Sequence, residues 1–199
     1  MFSIRPCTPQ DSDAVYEVCL KTGDAGQDAT HLFEYRKAPG HLYAGPYLVL
    51  EPDLAFVLED EQGVCGYILG ALDTLDFQKR YLDKWLPPLQ EKYPDPTGDE
   101  AHWSKTQKIH HLIHHPDLSP PQILRSYPSH LHIDLLPRAQ GQGNGRRMMQ
   151  TLLEALQKAG SVGVHLGLDA RNAKALRFYK KVGFQILKAQ QGIYMGSTL

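Results

Sequence analysis

The stretch from residue 130 to residue 159 constrains the fold more than any other part of the chain. Residues 130–136, His-Leu-His-Ile-Asp-Leu-Leu, alternate polar and apolar side chains, the pattern of a strand with two unlike faces. Gln140-Gly141-Gln142-Gly143-Asn144-Gly145 follows almost at once. Residues 146–159 then place Met148, Met149, Leu152, Leu153 and Leu156 on one helical side, and Gly160 supplies a stop. A strand that turns through glycines into a helix leaves the amides of Gln142 to Gly145 without helical partners at the positive end of the helix dipole. Glycine lets a ligand approach that backbone closely. The arrangement suits phosphate, and Arg146, with Arg147 beside it, adds charge suited to a pyrophosphate. A glycine turn without a ligand is the plain alternative, and the flanking strand and helix weigh against it.

Two familiar phosphate loops do not fit. No Gly-Lys-Ser or Gly-Lys-Thr ends the loop, which argues against a nucleoside triphosphate site. The loop also falls late in a chain of 199 residues, behind a hairpin, and does not open a large βαβ sheet. Hydride transfer on a dinucleotide is therefore disfavoured.

The remaining pattern is α/β. Residues 2–5 read as a strand ended by Pro6. Thr8, Pro9 and Asp11 start a helix through a capping box, and Val15, Val18, Cys19 and Leu20 form its apolar stripe. A helical patch is expected over 30–37 before a break at Pro39-Gly40, and the aromatic stretch 41–50 lines a site or connects elements. Residues 54–58 and 64–69 read as a hairpin. Residues 73–128, rich in proline and histidine, read as an irregular and helical excursion that packs back on the main fold without a core of its own. Helices are expected over 77–85, stopped by Pro87-Pro88, and over 103–114. After the glycine loop come a strand over 162–168, a helix over 172–182 and strands over 184–187 and 193–195.

A chain of this length suits one domain spanning 1–199. With 21 basic and 22 acidic residues its formal charge is −1, which removes the compositional case for general nucleic-acid binding. No run approaches the roughly 20 apolar residues needed to cross a bilayer, so no membrane partner is expected. The first residues lack a secretory apolar segment, so a cytoplasmic location is expected. Cys7, Cys19 and Cys65 are too scattered for a metal knuckle or a disulfide framework, and are expected as reduced thiols.

Several residues are chemical candidates. His130, His132 and Asp134 alternate along one strand face, which makes Asp134 the first and His132 the second candidate base. An ordinary solvated face with Asp134 paired to a lysine or arginine is the alternative. His110/His114 and His111/His115 have helical i,i+4 spacing, with Asp117 following. Without a His-Glu-x-x-His signature, and with Pro116 disrupting the end, they are read as incidental or substrate-proximal histidines and not as a metal site. Trp85, Tyr93, Trp103 and Tyr127 either cover a pocket or anchor the excursion, and anchoring is the safer reading.

Residues 140–145 match the Gln/Arg-x-x-Gly-x-Gly/Ala signature of the GCN5-related N-acetyltransferase (GNAT) superfamily, which the chain resembles. Ile4-Arg5-Pro6 and the helix after Asp11 resemble its opening strand and helix. The run from Asn172 through Phe178-Tyr179-Lys180-Lys181-Val182-Gly183-Phe184 resembles its later Asn and Phe-Tyr-x-x-x-Gly-Phe region. Residues 45–52, the hairpin 56–67 and Gln90-Glu91-Lys92-Tyr93 further resemble the acetyltransferase-like C-terminal domain of O-GlcNAc hydrolases, here expected without a glycosidase domain. Retention of the glycine loop, and with it coenzyme binding that animal versions of that domain are held to have lost, resembles a bacterial type.

The resemblance implies a GNAT-like mixed twisted sheet flanked by helices, with the excursion inserted between middle strands. It implies acetyl-coenzyme A as cofactor and acetyl transfer to an amine, borne by a small molecule or a peptide, with no metal. The coenzyme would be held by Gln140, Gly141, Gln142, Gly143, Asn144, Gly145, Arg146 and Tyr179, with pyrophosphate on Gln142 to Gly145, the pantetheine arm beside Leu135 and Leu136, and Asn172 on that arm or on an ordered water. The Leu135 amide would polarise the acetyl carbonyl, and Tyr179 would protonate the leaving sulfur. A coenzyme-binding pseudoenzyme and a protein-interaction domain are the alternatives, and a homodimer is left open.

Overall fold

The computed structural model describes residues 1–189 and 192–199. Among the described residues, seven strands form one mixed sheet in the order β1-β2-β3-β4-β5-β7-β6. They are β1 (Ser3–Pro6), β2 (Ala55–Asp60), β3 (Gly63–Ala71), β4 (Ser129–Leu135), β5 (Gly163–Leu168), β6 (Gln185–Ala189) and β7 (Ile193–Thr198). Neighbours pair antiparallel except β4 and β5, which run parallel. The helices are α1 (Ser12–Thr22), α2 (Ala38–Tyr43), α3 (Gly45–Leu50), α4 (Thr74–Arg80), α5 (Leu86–Lys92), α6 (Lys105–His114), α7 (Pro121–Leu124), α8 (Asn144–Lys158) and α9 (Ala173–Lys181). None is long and apolar enough to cross a membrane.

Local chemistry explains the elements that position the site. The Asp11 carboxylate folds back to accept from the Thr8 amide and hydroxyl, both at 2.8 Å, and takes two bonds from Arg5, so strand β1 and the start of α1 are tied together. Helix α8 packs across β3, where a Cβ on Gly70 would stand 2.7 Å from the Leu152 side chain. Only glycine admits that approach. Met148, Met149, Leu152 and Leu156 are buried there with Ile68 and Leu131, so the apolar stripe read from sequence is the stripe that enters the main core.

Three expectations are corrected. Pro39 does not break a helix; it sits in the first turn of α2, and the 30–37 patch forms only a single turn, Thr30–Leu32. Pro87-Pro88 likewise opens α5 directly after a π-helical turn, Tyr81–Trp85, and does not stop the preceding helix for good. In both places proline occupies helical positions whose N–H needs no partner. The excursion also has a small core of its own. Leu86, Tyr93, Ile109 and Ile113 bury themselves with Ala38 of α2, so it packs chiefly on the 33–42 segment.

Candidate active site

The site begins where the parallel pair separates. Strands β4 and β5 align only at Ser129↔Val164 and His130↔His165, and beyond those rows they part. Along β4, the Leu136 N–H donates to Cys65 on the β3 side at 2.8 Å. Peptide groups alternate along a strand, so the Leu135 N–H and C=O face the opposite way, into the gap. The carbonyl confirms the direction, because the Gln140 side-chain amide donates to it at 2.7 Å. The Leu135 N–H is thus a donor aimed into the opening. The Leu136 amide is already committed, and its side chain is buried, so Leu136 is corrected from a coenzyme contact to a wall of the core.

The alternating face of β4 is only partly open: His130 is buried, and His132 and Asp134 are half-buried. Asp134 accepts a 2.5 Å hydrogen bond from the hydroxyl of Tyr67, which is 0% exposed, and among the described residues it pairs with no lysine or arginine. Burial pushes its carboxyl up to about 6, against the opposing pull of the Tyr67 hydroxyl. His132 is pushed down to about 4 by burial and by His165, so it stands neutral near pH 7, a weak base. Its ring lies against Tyr43 and Tyr47. His130 is structural. Thr74 Oγ1 lies 2.8 Å from its Nδ1 and the Tyr47 hydroxyl 2.8 Å from its Nε2, and burial holds it well below the ordinary histidine range.

A cavity of about 710 Å³ opens in front of this face. Asp134, His132, Tyr179 and Asn172 all line it, so the separated sequence candidates converge. Tyr179, 8% exposed, packs between Phe178 and Phe184. Burial, helped by Asp134, raises its phenol above the ordinary value, so it is a protonated donor at neutral pH. Asn172 accepts from the Ala175 amide at 2.9 Å and so caps α9, while its amide nitrogen lies under Gly26 in the turn after α1. Arg171 closes that rim through ion pairs to Asp24 and Asp169. A second cavity of about 280 Å³ shares Tyr43, Asp117 and His132 with the first, and adds Tyr47, Tyr81 and Tyr194.

The glycine loop stands beside α9. Lys174 bonds the Gln140 side chain, and a Cβ on Gly145 would touch the Phe178 ring at 3.1 Å. Gly141 and Gly143 adopt φ of +78° and +79°, with nothing within 4 Å of where a Cβ would stand. Among the described residues the amides of Gly141, Gln142 and Gly143 make no backbone hydrogen bond. Helix α8 therefore starts two residues earlier than the sequence pattern suggests, with Gly143 as its N-cap. Besides Gln140, two more loop side chains are occupied. Asn144 is 2% exposed and donates to the Ala139 carbonyl, and Gln142 donates to the Arg138 carbonyl. They shape the loop, leaving its amides and the exposed Arg146 for an anion. Open space, unpaired amides and a parted strand pair fit a pyrophosphate with an extended arm.

Trp85, Tyr93, Trp103 and Tyr127 line neither cavity. Trp85 and Trp103 donate to the His41 and Thr97 carbonyls, and Tyr93 to the Tyr35 hydroxyl, so they anchor the excursion. Sequence reasoning missed Tyr67, the partner of Asp134. Register could have found it, since a hairpin strand that pairs 68 with 133 must set Tyr67 opposite Asp134.

Comparison with known proteins gives four findings. A model of the acetyltransferase (GNAT) domain matches residues 121–186. Protein O-GlcNAcase from Mus musculus is 34% identical over 195 residues, 96% of this chain but 21% of that protein, so the chain spans about a fifth of the curated relatives it matches. The crystal structure of SsHAT is 38% identical, with a TM-score of 0.92 covering 99% of this chain and 98% of that one. The fold also recurs, at 12% identity and a TM-score of 0.59, in the PaiA N-acetyltransferase from Thermoplasma acidophilum solved with coenzyme A, over 100% of this chain and 99% of that one.

Proposed function

The chain belongs to the GNAT acetyltransferase family, and from that premise we propose that it transfers an acetyl group from acetyl-coenzyme A to an amine. The observation that carries the reading is the opening between β4 and β5, with the free Leu135 N–H on one side and Asp134 and Tyr179 lining the same cavity. Bound acetyl-coenzyme A supplies an acyl carbon already activated as a thioester.

The chain's own groups divide the remaining work. The amides of Gln142 to Gly145, with Arg146, hold pyrophosphate at the start of α8. The Leu135 N–H stabilises charge on the acyl oxygen. Asp134, with a carboxyl near 6, is largely ionised at pH 7 and takes the proton that an ammonium acceptor must lose. Tyr179 gives its proton to the departing sulfur and recovers one from the attacking nitrogen, and Asp134 passes the proton it took from the ammonium to solvent, so the reaction ends with amide, thiol, one released proton and no net change in the protein. The smaller cavity, with its tyrosines and neutral His132, is the acceptor side.

Calorimetric titration with acetyl-coenzyme A and separately with coenzyme A tests the binding part, and an amine screen read by free-thiol release tests transfer. One molecule bound per chain, with thiol release that needs an amine, supports the proposal. Binding without release from any amine favours a coenzyme-binding domain without turnover. Absence of binding by folded, ligand-free protein overturns the cofactor assignment and leaves the interaction-domain reading.

A further inference from the structure

We propose that Asp95, His111 and His115 form a binding site for a divalent transition-metal ion of the zinc class, outside the acetyl-transfer cleft. His111 lies in the last turn of α6, and His115, four residues on, caps the helix end. His111 Nδ1 lies 3.0 Å from one Asp95 carboxylate oxygen and His115 Nε2 lies 2.7 Å from the other. The two imidazole rings are 4.3 Å apart between centroids, and the three donor atoms all fall within 4.8 Å of one another. Each side chain is partly open to solvent, at 33%, 56% and 37% for His111, His115 and Asp95, so an ion has a way in. None of the three lines either cavity.

The donor set selects the ion. Two imidazole nitrogens and one carboxylate oxygen suit zinc, cobalt or nickel, whereas calcium and magnesium prefer all-oxygen sites. Bonds of about 2.0–2.1 Å around a tetrahedral ion put its donors roughly 3.3 Å apart, inside the 4.8 Å span that holds the three donor atoms. Binding replaces the N–H···O contacts with metal bonds by changing which ring nitrogens carry protons, and needs no backbone rearrangement. A fourth position remains for water.

The local backbone supports the set. The objection that Pro116 disrupts the helix end does not hold, because the His115 N–H still donates to the His111 carbonyl at 2.8 Å and keeps the i,i+4 geometry. Pro94 and Pro96 bracket Asp95 and fix the backbone φ on either side. Trp103 packs on the His111 ring at 4.9 Å. The bound ion fastens the irregular 94–104 segment to α6. The third ligand lies well upstream of the histidine pair, which is why no sequence motif announces it.

The test uses the full chain, tag-free and stripped of metal. It is titrated with zinc by calorimetry and with cobalt by visible absorption. The expected result is one ion per chain, with His111→Ala and His115→Ala each weakening binding at least tenfold, as loss of a direct ligand must exceed the roughly 10–100-fold cost of losing an outer-shell partner. Asp95→Asn weakens it as well, while His31→Ala, an exposed histidine elsewhere, leaves it unchanged. Each variant is compared with the parent by melting in chelator, where equal stability shows that the fold is intact. No zinc binding, or binding undiminished in both α6 variants, overturns the site. Equal loss in His31→Ala overturns it too.

Discussion

Removing one oxygen from Tyr67 tests how Asp134 is tuned. Tyr67 is fully buried, and its hydroxyl gives Asp134 a 2.5 Å hydrogen bond. Tyr67→Phe keeps the ring in place and deletes the donor. A hydrogen bond to a charged group contributes about 1.5–3 kcal/mol, and each pH unit corresponds to about 1.4 kcal/mol, so the Asp134 carboxyl should rise by about one to two units. From a starting point of about 6, that carries it to about 7–8. The sign follows from the state that is stabilised. The hydroxyl favours the carboxylate, so losing it leaves burial opposed only by the Thr22 hydroxyl and favours the protonated form. Carbon-detected NMR of aspartate carboxyls reads the titration directly, with Asp134→Asn identifying the signal. The same shift should appear in the acid limb of thiol release once an acceptor is found. An Asp134 signal that titrates at the same pH in Tyr67→Phe, or at a lower one, refutes the reasoning and removes Tyr67 from the account of the base.

Tyr179→Phe should lower turnover by about 10²–10⁴-fold with little change in coenzyme affinity, as loss of a general acid does; steady-state kinetics beside calorimetry separates the two. Gly143→Ala should weaken coenzyme A binding, because φ of +79° is strained for any side chain, and calorimetry against unmodified protein checks it. Stability should fall on acidification from pH 6.5 to 4.5. His130 and His132 resist protonation when folded, so the unfolded chain binds more protons in that window and stability rises with pH there. Asp134 acts the other way, binding a proton more readily when folded. His41, His110 and His165 are held down in the same way, so the histidines outweigh the one raised carboxyl and leave a net loss, read by melting temperature, and His132→Asn should reduce it. Ile113→Ala, in the small core of the excursion, should cost about 2–5 kcal/mol while leaving coenzyme affinity within twofold, checked by denaturant titration and calorimetry.

Much of the frame was legible because it rests on local rules. The 130–159 pattern announces a strand, a turn with left-handed glycines and an amphipathic helix, and each of these forms. The capping box at Thr8 and Asp11 is equally local. Prolines misled where a rule has two outcomes. Pro39, Pro87 and Pro88 end a helix that precedes them or begin one that follows, and only packing decides. Leu86 buries itself against Ala38, Ile109 and Ile113, and that contact between distant segments makes α5 a helix worth starting. No window of sequence contains it.

The row His130, His132 and Asp134 shows the same limit within the site. Alternation puts the three on one face but says nothing of what faces them. Burying ionisable groups is costly unless partners compensate, and the partners sort the row. His130 receives Thr74 and Tyr47 and becomes part of the scaffold. Asp134 receives one hydroxyl, enough to keep its carboxyl near neutrality but not to fix it in the charged state. His132 receives only the faces of Tyr43 and Tyr47 and, among the described residues, no hydrogen bond, although it borders both cavities. Its ring is half-buried at the wall of both cavities, so its nitrogens are open to a bound acceptor. An acceptor with a hydrogen-bonding group near its amine gains a direct partner there on binding, whereas a plain alkylamine does not. Among amines that are turned over, those with a hydroxyl or carbonyl within reach of His132 should therefore have the lower KM. His132→Phe should erase that difference while sparing the plain amines, and a KM ranking that survives the substitution would falsify the assignment of His132 to the acceptor.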